Sequence, residues 1–233
     1  MGARLILVQG PSGEGKSRSW LNMDATKTFV ISPNGKPFPF RGAKKKYTTW
    51  NSTTGVGNVI ITNELNDLAG ALEYINSAPH IKYILLDDFS HYFSTRVMSP
   101  DFIAQNSGNA AFAKWNVFGS DVQNAIFSVA QNLRDDLTIV INHHTDMGDD
   151  GVFRFRTSGN LLKKVIDPVS YFTYVFHTYV TRDAGVTKYQ FITNVDGQHE
   201  AKSPEGCFDS LYIPNDIKLV IDTIENYENG DEE

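Results

Sequence analysis

The apolar run "LILV" at residues 5–8 leads, after Gln9, into "GPSGEGKS" at residues 10–17. An unbroken apolar run this short is expected in a parallel strand buried on both faces. The segment after it matches G-x-x-x-x-G-K-[ST], with Gly10, Gly15, Lys16 and Ser17 at the fixed places. In that pattern backbone N–H groups wrap a phosphate chain, the lysine reaches its β and γ oxygens, and the hydroxyl ligates Mg²⁺. Glycine is needed where the backbone turns sharply and approaches the ligand closely. Pro11, Ser12, Gly13, Glu14 and Arg18 complete the expected contacts to a nucleotide cofactor. The four fixed positions match by chance in roughly 1% of chains of this length. "KSRSWLNM" is expected to continue as a helix near 15–23, with its N-terminus aimed at the anion.

Further apolar runs alternate with helical patterns. Strands are expected at 28–33, 58–63, 83–89 and 137–144, with helices near 65–77, 109–134 and 161–168. This βαβ alternation implies a mostly parallel central sheet covered by helices on both faces. Two later runs, at 171–180 and 188–194, are separated by turn residues and suit antiparallel strands at an edge. Residues 215–227 read as a final helix with Asn215 as N-cap. The 233 residues, 41% of them hydrophobic, suit one domain over 1–224. The net charge is −6, but the last nine residues, "ENYENGDEE", hold five acids and no base. Residues 225–233 are therefore expected to be a disordered acidic tail, and the near-neutral body does not exclude a nucleic-acid partner. The lone cysteine, Cys207, excludes an internal disulfide and suits the reducing cytoplasm. No segment approaches the ~20 apolar residues that span a bilayer, and no signal-peptide pattern is present.

"YILLDDF" supplies the acids that a phosphate loop requires. A carboxylate at a neighbouring strand tip holds the Mg²⁺ shell, and Asp87 is placed for it. Asp88 stands where related ATPases carry a water-activating glutamate. In "INHHTD" a polar side chain at the strand tip would face the γ-phosphate, His144 first and His143 second. A metal site from His143, His144 and Asp146 is disfavoured, because adjacent strand residues point to opposite faces. In "GDDGVFRFRTSGN" Phe153 and Phe155 alternate with Arg154 and Arg156, a pattern that suits bases on one face and phosphates on the other. The same spacing fits an amphipathic strand packed on the core. "RGAKKKYTTW" is the densest basic patch, with Arg41, Lys44, Lys45 and Lys46 beside Tyr47 and Trp50. Lys202 lies on an expected turn and is a candidate to reach the γ-phosphate of a neighbouring copy.

Taken in order, "GPSGEGKS", "NGKPFPF", "YILLDDF", "AFAKW", the strand-end histidine, "FRTSGNLL" and "AKSPEGCF" resemble the phage-encoded RecA-like ATPases called core-only recombinases or single-strand annealing proteins. The resemblance runs from residue 10 to about 208. It implies a RecA-like P-loop sheet, ATP and Mg²⁺ binding, single-stranded DNA binding in the host cytoplasm, and self-association as a ring or filament. A single-strand-binding protein is a further implied partner. No extension precedes the first strand, so no RecA-style polymerisation arm is expected. Asn34 and Gly35 stand where some RecA-type enzymes supply a catalytic glutamate, so slow hydrolysis is expected. Two rival functions share the loop pattern: a small nucleotide kinase like guanylate kinase, and an ATP-gated phage assembly factor without DNA binding.

Overall fold

A computed structural model describes residues 2–106 and 108–230. Its centre is an eight-stranded sheet built from β1 (Arg4–Gln9), β2 (Thr28–Ser32), β3 (Val59–Ile61), β4 (Tyr83–Leu86), β5 (Thr138–His143), β8 (Tyr174–Asp183), β9 (Val186–Ile192) and β10 (Tyr212–Pro214). The order is β10-β9-β8-β1-β5-β4-β2-β3. From β8 to β3 every neighbour runs parallel, while β9 and β10 add antiparallel at one edge. A small hairpin of β6 (Thr145–Met147) and β7 (Phe153–Phe155) grows from the tip of β5.

Period-two alternation sorts the strand residues into two cores. Leu7, Ile31, Leu86, Ile141 and Val175 face α2 (Leu65–Asn76), α3 (Ser90–Met98) and α5 (Ala110–Val122). Ile6, Val8, Val30, Leu85 and Phe176 face Trp20 and α8 (Ile217–Asn229). Each such side chain, fully buried, contributes about 1.5–3 kcal/mol. The parallel sheet flanked by helices follows from strands that are apolar on both faces. Every strand of the parallel part points its carboxyl end to one edge, where α/β sheets bind ligands.

The remaining helices are α1 (Ala43–Lys46), α4 (Pro100–Ala104), α6 (Val129–Asn132) and α7 (Asn160–Lys163). A wider π turn over Gln123–Ser128 joins α5 to α6, so the expected helix at 109–134 is nearly continuous. Several expectations need correction. Residues 17–22 form a tight 3₁₀ helix, because Ser19 Oγ donates to the Lys16 carbonyl at 2.6 Å and competes with the α-helical ladder. The helix expected over 161–168 stops at Lys163; Pro168 keeps Asp167 extended, and a separate 3₁₀ turn follows. The N-cap of α8 is Asp216, not Asn215: its carboxylate accepts from the N–H groups of Lys218 and Leu219. That helix continues to Asn229, and Glu225 and Glu228 both pair with Arg4. Residues 225–229 are therefore ordered helix, and 231–233 of the expected tail lie outside the described residues.

Candidate nucleotide site

Beyond Gln9 the chain passes so close to β8 that a Cβ on Gly10 would overlap Thr178 Oγ1. Gly15 has φ +93, a conformation that costs a side chain dearly. The turn between them sends Lys16 back into the loop. Its ammonium donates to the carbonyls of Gly10 at 2.6 Å and Pro11 at 2.7 Å, and lies 3.3 Å from His144 Nδ1. Lys16 is 7% exposed, and burial brings its pKa down to about 8, against the opposing pull of Asp88, Glu14 and Asp87. The Glu14 carboxylate accepts from Thr178 Oγ1 at 2.8 Å, which anchors the loop to β8. Arg18 lies over the ring of Tyr189 on β9, 5.6 Å from its centroid.

The loop faces the two acids across the sheet edge. Ser17 Oγ donates to Asp87 Oδ1 at 2.8 Å, and Asn142 Nδ2 donates to the same oxygen at 3.2 Å. Burial raises the Asp87 pKa, and these two hydrogen bonds oppose the rise. A hydroxyl and a carboxylate at this spacing are hard oxygen donors, the chemistry that Mg²⁺ requires. Asp88 has φ +49, which aspartate tolerates better than most residues. Its carboxylate sits 3.4 Å from His144 Nε2 and 3.3 Å from His91 Nε2. Burial works against its charge, but His144, His91 and Lys16 outweigh burial and hold it below the ordinary carboxylate value. Ser12, Gly13, Gly15, Lys16, Ser17, Arg18, Asp87, Asp88 and His144 together line a cavity of about 270 Å³.

His143 and His144 part company as strand alternation requires. His143 is fully buried, its ring stacked on Phe155 at 3.5 Å between centroids, and burial lowers its pKa to about 3. His144 faces the cavity.

The hairpin corrects one DNA-binding expectation. Phe155 is 5% exposed and packed between His143 and Phe93, so its ring faces are not offered to a base. The amphipathic-strand alternative holds at this position. Arg154 is paired in a fork with Asp150, and Arg156 Nε with Asp146 Oδ1 at 2.7 Å. Lys44, Lys45 and Lys46 are exposed on α1, where Lys46 also donates to the Leu21 carbonyl at 3.2 Å. Lys202 exchanges backbone hydrogen bonds with Val175, level with the middle of β1, away from its own chain's cavity at the strand tips.

Lys36, Pro39 and Tyr189 also line the cavity, and Asn142 and His91 brace its acids. None of these is assigned a role by the sequence alone, although Lys36 and Pro39 fall in "NGKPFPF" and Asn142 in "INHHTD". Asn142 had a signal, a lone amide within a buried apolar strand, which must find a polar partner. No family model matches the chain, and no curated protein matches it. No helix among the described residues is long and apolar enough to cross a membrane.

Proposed function

We propose that this chain is a P-loop ATPase of the RecA-like kind that binds Mg²⁺-ATP at the cavity and acts on single-stranded DNA. The observation that carries the nucleotide reading is the contact between Ser17 and Asp87, made beside a buried Lys16 that is held by its own loop. Ser17 and Asp87 would hold a Mg²⁺ ion, which would supply neutralisation of phosphate charge there. Lys16 exchanges its carbonyl partners for phosphate oxygens, and the N–H groups of the loop wrap the chain. Asp88, kept ionised by its neighbours, orients a water toward the γ-phosphorus. The water oxygen would bond to phosphorus as the bond to the bridging oxygen of ADP breaks, and the proton the water loses would pass to the Asp88 carboxylate. His144 touches both Lys16 and Asp88, so it registers whether the γ-phosphate is present. The DNA contact falls to Lys44, Lys45 and Lys46, since Phe155 is committed to the core.

ATP turnover measured with and without single-stranded DNA, and with nucleoside monophosphates, tests the proposal. Stimulation by DNA supports it. Phosphorylation of a monophosphate selects a nucleotide kinase. ATP binding without either response selects an ATP-gated assembly factor.

A further inference from the structure

The segment after β2 brings a second lysine to the cavity. Gly35, at φ +61, donates its N–H to Ser32 Oγ at 3.2 Å, and the Lys36 N–H donates to Asn34 Oδ1 at 3.0 Å. This turn is tied to the second acid, because Asn34 Nδ2 lies 3.2 Å from the same His91 nitrogen that meets Asp88. Beyond Lys36, prolines 37 and 39 restrict the backbone on either side of Phe38. The Phe38 ring packs on Trp20 at 5.6 Å and on Tyr47 at 5.0 Å. Trp20 is fully buried, three residues past Ser17. The segment is thus pinned at one end to the acids and at the other to the chain that leaves the phosphate loop.

Lys36 lies between those pins and lines the cavity together with Pro39. Among the described residues its ammonium has no hydrogen bond or ion pair, whereas Lys16 is engaged by two carbonyls and Arg18 is laid over Tyr189. Because β2 flanks β4 on the side away from β1, Lys36 approaches from the side opposite the phosphate loop. The cavity's other charged side chains are Lys16 and Arg18 and the acids Asp87 and Asp88, with His144 beside them. A triphosphate brings more negative charge than a diphosphate, and the surplus sits on its terminal phosphoryl group.

We infer that Lys36 is the cation that distinguishes ATP from ADP at this site, by contacting the terminal phosphate from the side opposite Lys16. The inference rests on the reading of the cavity as an ATP site. Because the aromatic anchors hold its backbone in place, Lys36 acts as a pre-positioned clamp on the terminal phosphate.

Isothermal titration of Mg²⁺-ATP and Mg²⁺-ADP into wild type, Lys36→Gln, Lys36→Arg and the control Lys163→Ala tests this. Lys163 is an exposed lysine on α7, outside the cavity. Lys36→Gln should weaken ATP binding about tenfold and change ADP binding less than about twofold, as expected for removing one charge-assisted hydrogen bond. Lys36→Arg should restore most of the ATP preference, and Lys163→Ala should leave it alone. An unchanged ATP-to-ADP ratio in Lys36→Gln overturns the inference, and so does an equal change in Lys163→Ala. Wild type that binds ADP and ATP normally while the ratio ignores Lys36 overturns this inference alone. Wild type that binds neither nucleotide overturns the ATP reading with it.

Discussion

Ser17 and Asp87 stand 70 residues apart in the chain, and the Ser17 hydroxyl donates to Asp87 Oδ1 at 2.8 Å across the gap between two strand tips. This hydrogen bond sets the distance between the loop that would carry phosphates and the acid that would stand behind the metal. Asp87→Asn keeps the shape and removes the charge. Turnover should fall on the order of 10²-fold, because the missing charge acts mainly in the transition state. Nucleotide affinity should change far less. Steady-state rates over a Mg²⁺ titration, set beside equilibrium binding, separate the two. A silent Asp87→Asn beside a damaging Asp88→Asn would mean that the two acids have exchanged roles.

Lys16 gives the site an alkaline limit. Burial brings its pKa from an ordinary 10.5 to about 8. Only the charged form attracts phosphate, so ATP affinity should be full below that value and fall as pH rises through it. The stability of the ligand-free protein has the opposite sign in this window. Between about 8 and 10.5 the unfolded chain holds the Lys16 proton and the folded chain does not. The contribution of this group to stability therefore rises with pH there. Titration calorimetry and urea unfolding over the same pH series check both. An ATP affinity that stays level across the window would show that Lys16 is not the phosphate ligand.

Lys16→Ala should abolish tight ATP binding while circular dichroism stays as in wild type. The side chain is held by loop carbonyls, not by the apolar core, and its removal relieves a buried charge. Unaltered ATP affinity would remove the nucleotide assignment.

Phe155→Ala should cost about 3–5 kcal/mol of stability, as expected for emptying a packed aromatic position. Denaturant unfolding measures it. Any weakening of DNA binding in this variant should follow its loss of folded protein. A fully stable Phe155→Ala that binds DNA weakly would return the hairpin to the interface.

Single-stranded DNA affinity should depend on α1. Replacing Lys44, Lys45 and Lys46 by alanine should flatten the salt dependence, by about 0.7 in logarithmic slope for each phosphate no longer neutralised. Arg154→Ala/Arg156→Ala should have the smaller effect, since each arginine already has an acidic partner. Fluorescence anisotropy over a salt series ranks the two sets, and the reverse ranking would place the DNA on the hairpin.

The tight loop at residues 10–17 was legible because the pattern that phosphate binding would demand sets glycine, lysine and hydroxyl at fixed spacings within eight residues. The meeting of Asp87 with that loop was legible because an acid ending an apolar parallel strand lies at the same sheet edge as the loop. Phe155 was ambiguous, since alternation shows that Phe and Arg take opposite faces but not which face the core covers. His143, stacked beneath it from another strand, decides that. Asn215 and Asp216 are both good caps, and only the turn from β10 into α8 chooses between them. Tyr189 carries no local sign, and Lys36 is marked only by its place in "NGKPFPF", which says nothing of what it faces. They reach the cavity because β2 lies beside β4 and β9 folds back along β8, pairings between residues far apart in the chain.

β1 lies at the middle of the sheet, with Leu7 opposite Ile141 on one side and Val175 on the other. A ribosome adding ~5–20 residues per second needs on the order of 10 s to travel from the first of these residues to the others. For that interval the nascent chain exposes "LILV" with no sheet to receive it. The strand that leads into residues 10–17 is made long before its partners and seated only after them. The order of synthesis therefore leaves this strand's apolar residues exposed longest, and the cavity at its tip assembles last.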